Sequence, residues 1–173
     1  MARELSVGDL APNFDLSSTE GAMLMLRDEV PRNQVVLYFF GDPASPSVRA
    51  DLAALAAARD AMAENRVNIL GVSPSKLPEL NALQAELALP FPLLRDDRNF
   101  SAAYGVEPPQ EETAGGSALV LVGRDQKIVW LRNSGGSVES LLGDLRAAID
   151  ARESPTRNYP RSVINRLVDR WVN

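Results

Sequence analysis

The feature that most constrains the fold is Val35-Val36-Leu37-Tyr38-Phe39-Phe40, a continuous apolar run rich in strand-forming residues that stops at Gly41-Asp42-Pro43. A run of this length without alternation is the pattern of a strand buried on both faces, which needs cover on both sides. Ser45-Pro46 follows, a capping residue with proline at the first helical position. Leu52, Leu55, Ala56, Arg59 and Met62 then recur at helical spacing, which predicts a helix over 46–64. The unit repeats: Val67 to Val72 reads as a strand, Ser73-Pro74 as a break, and Pro78 to Leu89 as a second helix. A chain of 173 residues fits one domain that buries roughly 70% of its unfolded surface.

The remaining elements follow from turn chemistry. Phe14 and Leu16 alternate into a short strand, Ser17 to Gly21 turns, and Met23-Leu24-Met25-Leu26 pairs back as a hairpin arm. Phe91 to Leu94 is short and apolar, Asp96-Asp97-Arg98-Asn99 reads as a solvated turn, and a short helix spans about Phe100 to Tyr104. Residues 107–117 are the most loop-like internal stretch. Ala118 to Val122 and Lys127 to Leu131 read as strands joined tightly by Gly123-Arg124-Asp125-Gln126, hence antiparallel. Ser137 caps a final helix reaching about Ala151, with Leu141, Leu142, Leu145 and Ile149 on one face. The plan is βαβα followed by ββα. It implies an α/β thioredoxin-like fold, a central mixed sheet flanked by helices on both faces.

Residues 1–151 form this domain and residues 152–173 a basic amphipathic extension. Residues 151–173 carry five arginines and two acids, which leaves the first 150 residues at −8 within an overall −5. From Pro160 onward, Val163, Ile164, Leu167, Val168 and Trp171 share a helical face, with Arg161 and Arg166 mostly elsewhere. Closing the domain's own core or a homodimer is the ordinary role of such a segment. The alternatives are docking on another protein, through Arg161, Arg166 and Trp171, and contact with a membrane surface.

Composition sharply limits the chemistry. The chain has no cysteine and no histidine. Thiolate nucleophiles, disulfides, cysteine-bound zinc and iron–sulfur clusters are excluded, as are imidazole bases and Ser-His-Asp triads. The acidic balance argues against nucleic acid as a partner. No apolar run reaches the roughly 18–20 residues of a membrane span, and the start lacks an apolar signal region, so the expected location is the cytoplasm.

Residues 35–52, VVLYFFGDPASPSVRADL, resemble the active-site segment of peroxiredoxins, nearest to the bacterioferritin-comigratory type of the alkyl hydroperoxide reductase–thiol-specific antioxidant family. VGDLAPNFDL near the start, Ile69 to Ser73, Leu89 to Leu94, Tyr104-Gly105-Val106 and Gln126 to Val129 agree in order and spacing, so the resemblance covers about 5–150. It implies reduction of peroxides by a cysteine thiolate at the start of the helix after the first buried strand, with a proline, a threonine and an arginine around it. Here Gly41 stands in the proline's place, Ser45 in the threonine's and Val48 in the cysteine's. Asp51 matches an acidic residue of the family shortly after the cysteine. The arginine falls at or next to Ser117, and no arginine lies between Arg98 and Arg124. The segment also resembles thiol–disulfide oxidoreductases of the thioredoxin type, whose Cys-x-x-Cys would fall on Ser45-Pro46-Ser47-Val48, again with no thiol.

Other chemistry has thin support. Ser45 and Ser47 near a helix N-terminus could favour an anion, but capping is the simpler role, and serine catalysis needs a base that only Lys76, a carboxylate or the N-terminal amine could supply. Asp51, Asp96 and Asp97 lack the spacing of a Mg²⁺ or Ca²⁺ loop. Gly115-Gly116-Ser117 lacks the lysine of a phosphate loop, and Gly135-Gly136-Ser137 reads as a turn and cap. Trp130 and Trp171 are core residues or interface anchors. No cofactor or metal is implied. Two functional classes follow: a degenerate, cysteine-less relative without thiol peroxidase activity that works by binding, scaffolding or regulating, with a protein partner or second copy; and a non-thiol enzyme or small-ligand binder using a remodelled pocket.

Overall fold

A computed structural model of the chain describes residues 5–98, 100–106, 117–133 and 138–153. The buried run forms β3 (Gln34–Phe39), with every residue buried. Around it lies a five-stranded sheet in the order β5-β4-β3-β6-β7, with β4 at Val67–Ser73, β5 at Leu93–Arg95, β6 at Ala118–Val122 and β7 at Ile128–Asn133. β3, β4 and β5 run parallel. β6 is antiparallel to β3 and to β7, which makes the sheet mixed.

Side-chain alternation along β3 splits the core in two. Val36, Tyr38 and Phe40 join one cluster, while Val35, Leu37 and Phe39 join the other. The first cluster is roofed by the three long helices, α2 (Pro46–Glu64), α3 (Leu77–Leu87) and α5 (Val138–Glu153), through Leu52, Leu55, Leu80, Leu83, Leu145 and Ile149. The second is covered by the hairpin β1 (Asp15–Ser17) with β2 (Met23–Met25), by one-turn α1 (Leu26–Glu29), and by α4 (Phe100–Ala103) with Tyr104. Both faces carry helices, but the long ones share one face.

Most expected elements form within a few residues of their sequence-based limits. Leu26 serves both readings: its N–H bonds Phe14 O, continuing the hairpin register by one pair, while its carbonyl accepts Val30 N–H and opens α1. The second helix ends at Leu87, where Ala88 takes a left-handed conformation at φ 49°. Asp96 is not solvated. It is buried, and its two carboxylate oxygens accept the N–H groups of Phe100 (2.7 Å) and Ser101 (2.9 Å), which caps α4. Gly71 is required in β4, since a Cβ there would lie 2.5 Å from Leu93 Cδ2.

Candidate functional site: the mouth of helix α2

The loop from β3 to α2 is fixed by short-range polar bonds. Asp42 Oδ1 accepts Ala44 N–H at 2.8 Å, and Ser45 N–H reaches Asp42 O. Ser45 is extended at the helix start, and its carbonyl accepts Arg49 N–H. Its side chain makes no cap bond, contrary to expectation. The Ser45 hydroxyl lies 2.9 Å from that of Ser47, so the two hydroxyls satisfy each other at the surface. Arg49 spans the mouth: Nε donates to Pro43 O, and the two terminal nitrogens reach Glu86 on α3 at 2.7 and 3.1 Å. That pairing raises the arginine's affinity for its proton and lowers that of Glu86. Gly41 gives its carbonyl to the buried Ser73 hydroxyl at 2.9 Å.

Val48, Asp51 and Leu52 occupy the inner face of the first turns of α2. Val48 is 5% exposed and packs in the cluster with Tyr38, Phe40 and Leu52. An isopropyl group therefore fills the floor of the site with no reactive or polar atom.

Beneath it the structure assembles a polar group that sequence reading saw only in pieces. Tyr38 Oη donates to Asp51 Oδ2 at 2.9 Å, and Asp51 Oδ1 accepts the N–H of Val138 at 3.0 Å. The Ser117 side chain acts on the same phenol, opposing the rise in its pKa. Asp51 and Ser117 are thus brought together, 66 positions apart, through Tyr38. Tyr38 and Val138 were missed as members of the site. The signal for Tyr38 was present: a phenol in an apolar strand needs a hydrogen-bond partner when buried. Nothing in the sequence pointed to Val138. Among the described residues no group of three or more acidic side chains is placed to hold a metal ion, so Asp51 and Asp96 serve separate structural bonds. Ser137, Gly115, Gly116, Arg161, Arg166 and Trp171 lie outside the described residues.

Burial, followed by the charge of Asp51 and its hydrogen bond, pushes the Tyr38 phenol far above the ordinary value of 10.0; the Ser117 side chain opposes this. Burial also raises Tyr104, whose hydroxyl donates to Pro12 O. Both phenols hold their protons more tightly folded than unfolded. Their contribution to stability is complete below the unfolded value and is lost as pH climbs above it. The two together are expected to remove about 2–3 kcal/mol per pH unit above roughly pH 10. Urea midpoints taken from pH 8 to 11 measure this slope, and Tyr38→Phe should reduce it by about half. An unchanged slope in that variant would show that the phenol does not titrate as described.

The family model described as AhpC/TSA matches residues 7–131. Among relatives, a protein named putative peroxiredoxin bcp from Coxiella burnetii is 30% identical over 103 residues, which cover 59% of this chain and 68% of that one. One named 1-Cys peroxiredoxin A from Oryza sativa subsp. japonica is 23% identical over 174 residues, covering 93% and 79%. Among solved structures, peroxidoxin BcpB from Mycobacterium tuberculosis superposes with a TM-score of 0.77 at 19% identity, covering 86% of this chain and 98% of the other. That likeness shows the fold, which is thioredoxin-like. With the matched span taking in the hairpin, the whole sheet except the end of β7, and the mouth of α2, the chain belongs to the AhpC/TSA family and carries no cysteine.

Proposed function

We propose that this chain is a degenerate member of its family that acts by binding, as a scaffold, regulator or companion of another protein, and does not reduce peroxides through a thiol. The observation that carries the reading is Val48, buried at the position the resemblance assigns to the attacking cysteine, in a chain without any cysteine. The absence of arginine between Arg98 and Arg124 supports it further. The partner is a protein or a second copy of the chain. The acidic balance makes nucleic acid a poor match. Cytoplasmic residence belongs to the same reading. Among the described residues no helix is long and apolar enough to cross a membrane. The second functional class, a remodelled pocket, is disfavoured by the apolar packing around Val48.

Two measurements test this. Hydrogen peroxide incubated with the protein, thioredoxin, its reductase and NADPH should be consumed at the protein-free rate; sustained turnover proportional to protein overturns the reading. Affinity capture with the full chain and with a chain lacking 152–173 should then recover a specific protein. Its loss on truncation assigns the contact to the extension around Arg161, Arg166 and Trp171; its retention assigns it to the 1–151 domain.

A further inference from the structure

We propose that α5 is a latched cover: its N-terminus is held by a carboxyl group borrowed from α2, and the helix opens as a unit when that latch is released. This stands apart from the question of what the chain binds.

A helix start leaves N–H groups without intrahelical partners. In α5 the Val138 N–H finds its acceptor 87 residues earlier, in Asp51 Oδ1. The bond is buried, and an acidic group at a helix N-terminus also complements the helix dipole. The other Asp51 oxygen is occupied by Tyr38 Oη, and Tyr38 belongs to β3, the central strand. Two hydrogen bonds in series thus fasten the start of α5 to the middle of the sheet. The acidic residue at the mouth of α2 is here a positioning residue for another helix.

The rest of α5 is held more loosely than any strand. Apart from the latch it is held by side-chain packing, mainly on α2 and β7, with Val138, Leu145 and Ile149 buried and Leu141, Leu142 and Ala148 partly so, whereas each strand is also tied by ladder hydrogen bonds. Gly143 sits inside the helix, where glycine weakens helical structure relative to alanine. Elements held more loosely than the core strands are those that open below the global unfolding free energy. Such opening breaks no sheet hydrogen bond, since α5 takes part in no strand ladder.

Amide hydrogen exchange on the full chain tests the proposal under conditions where each variant is folded. In the parent, amides across 138–153 should exchange about tenfold or more faster than the slowest amides of β3 and β6 and respond less to denaturant, and Asp51→Ala should speed exchange across 138–153 about tenfold or more, with β3 and β6 speeding in step as the domain loses stability. Tyr38→Phe, which leaves the Val138 bond in place, should give the same pattern at roughly threefold. Gly143→Ala should slow exchange across α5 about fourfold. A Cβ at Gly143 meets nothing within 4 Å, so this variant folds without strain. If Asp51→Ala does not fold, the other two variants decide. Parent α5 amides that exchange as slowly as those of β3 and β6 with the same denaturant dependence, or α5 rates unmoved by Tyr38→Phe and Gly143→Ala, would overturn the latch.

Discussion

Asp51→Ala is expected to lower the unfolding free energy by about 2–4 kcal/mol, against the roughly 5–15 kcal/mol that holds a domain of this kind together. The measurement is a urea or guanidinium midpoint at unchanged slope. Three effects combine. The Val138 N–H loses its buried acceptor at a helix start, where no intrahelical carbonyl replaces it. The Tyr38 hydroxyl loses Asp51 but can redirect its proton to Ser117, which limits the loss on that side. The removed carboxyl group leaves space between Tyr38 and α5. Asp51→Asn should be milder, at about 1 kcal/mol, since an amide can accept from Val138 and donate to a rotated phenol. An alanine variant as stable as the parent would mean that water satisfies these groups and that the buried network is not structural.

Val48→Cys is expected to place a thiol at the position that the resemblance assigns to the attacking cysteine without conferring peroxidase activity. Its reaction with hydrogen peroxide, followed by loss of free thiol, should proceed no faster than that of free cysteine. A thiol reacts as its thiolate, and an apolar site raises its pKa and depletes that form. The space Val48 occupies is almost closed to water, lies among Tyr38, Phe40 and Leu52, and has the Asp51 carboxyl one turn further along α2. The cationic side chain closest in sequence, Arg49, is committed to Pro43 O and Glu86. Ser117 supplies no charge where the resemblance implies an arginine. A rate about a hundredfold above free cysteine would show that the scaffold still activates a thiol and that one substitution separates this chain from catalysis.

Legibility followed the range of the interactions involved. β3, α2, β4 and β6 were readable because their signals are local: apolar runs, a proline at the first helical position and helical periodicity. The antiparallel pairing of β6 and β7 followed from the short turn between them. Leu26 was read as hairpin alone because an apolar residue suits a strand arm or a helix start equally well; its N–H does bond Phe14 O, and the helix start shows only in the Val30 N–H its carbonyl accepts. Asp96 was read as solvated because an aspartate in a turn usually is; its burial comes from the cap it makes on α4 and from its position beside Ser73. The Ser45 cap failed for a comparable reason, since a second hydroxyl two residues on offered a competing partner.

The sequence alone determined one class of chemistry that is absent. No thiol exists in the chain, and the residue at the mouth of α2 is Val48. Composition and one-dimensional order carry that information fully, because a side chain that is not encoded cannot be supplied by folding. Only the tertiary structure decided what the surviving residues do. Asp51 and Ser117, far apart along the chain, both act on Tyr38, and Asp51 holds the first amide of α5. A hydrogen bond spanning 87 residues leaves no local trace, since it depends on where the sheet places β3 and α2 relative to a helix encoded much later.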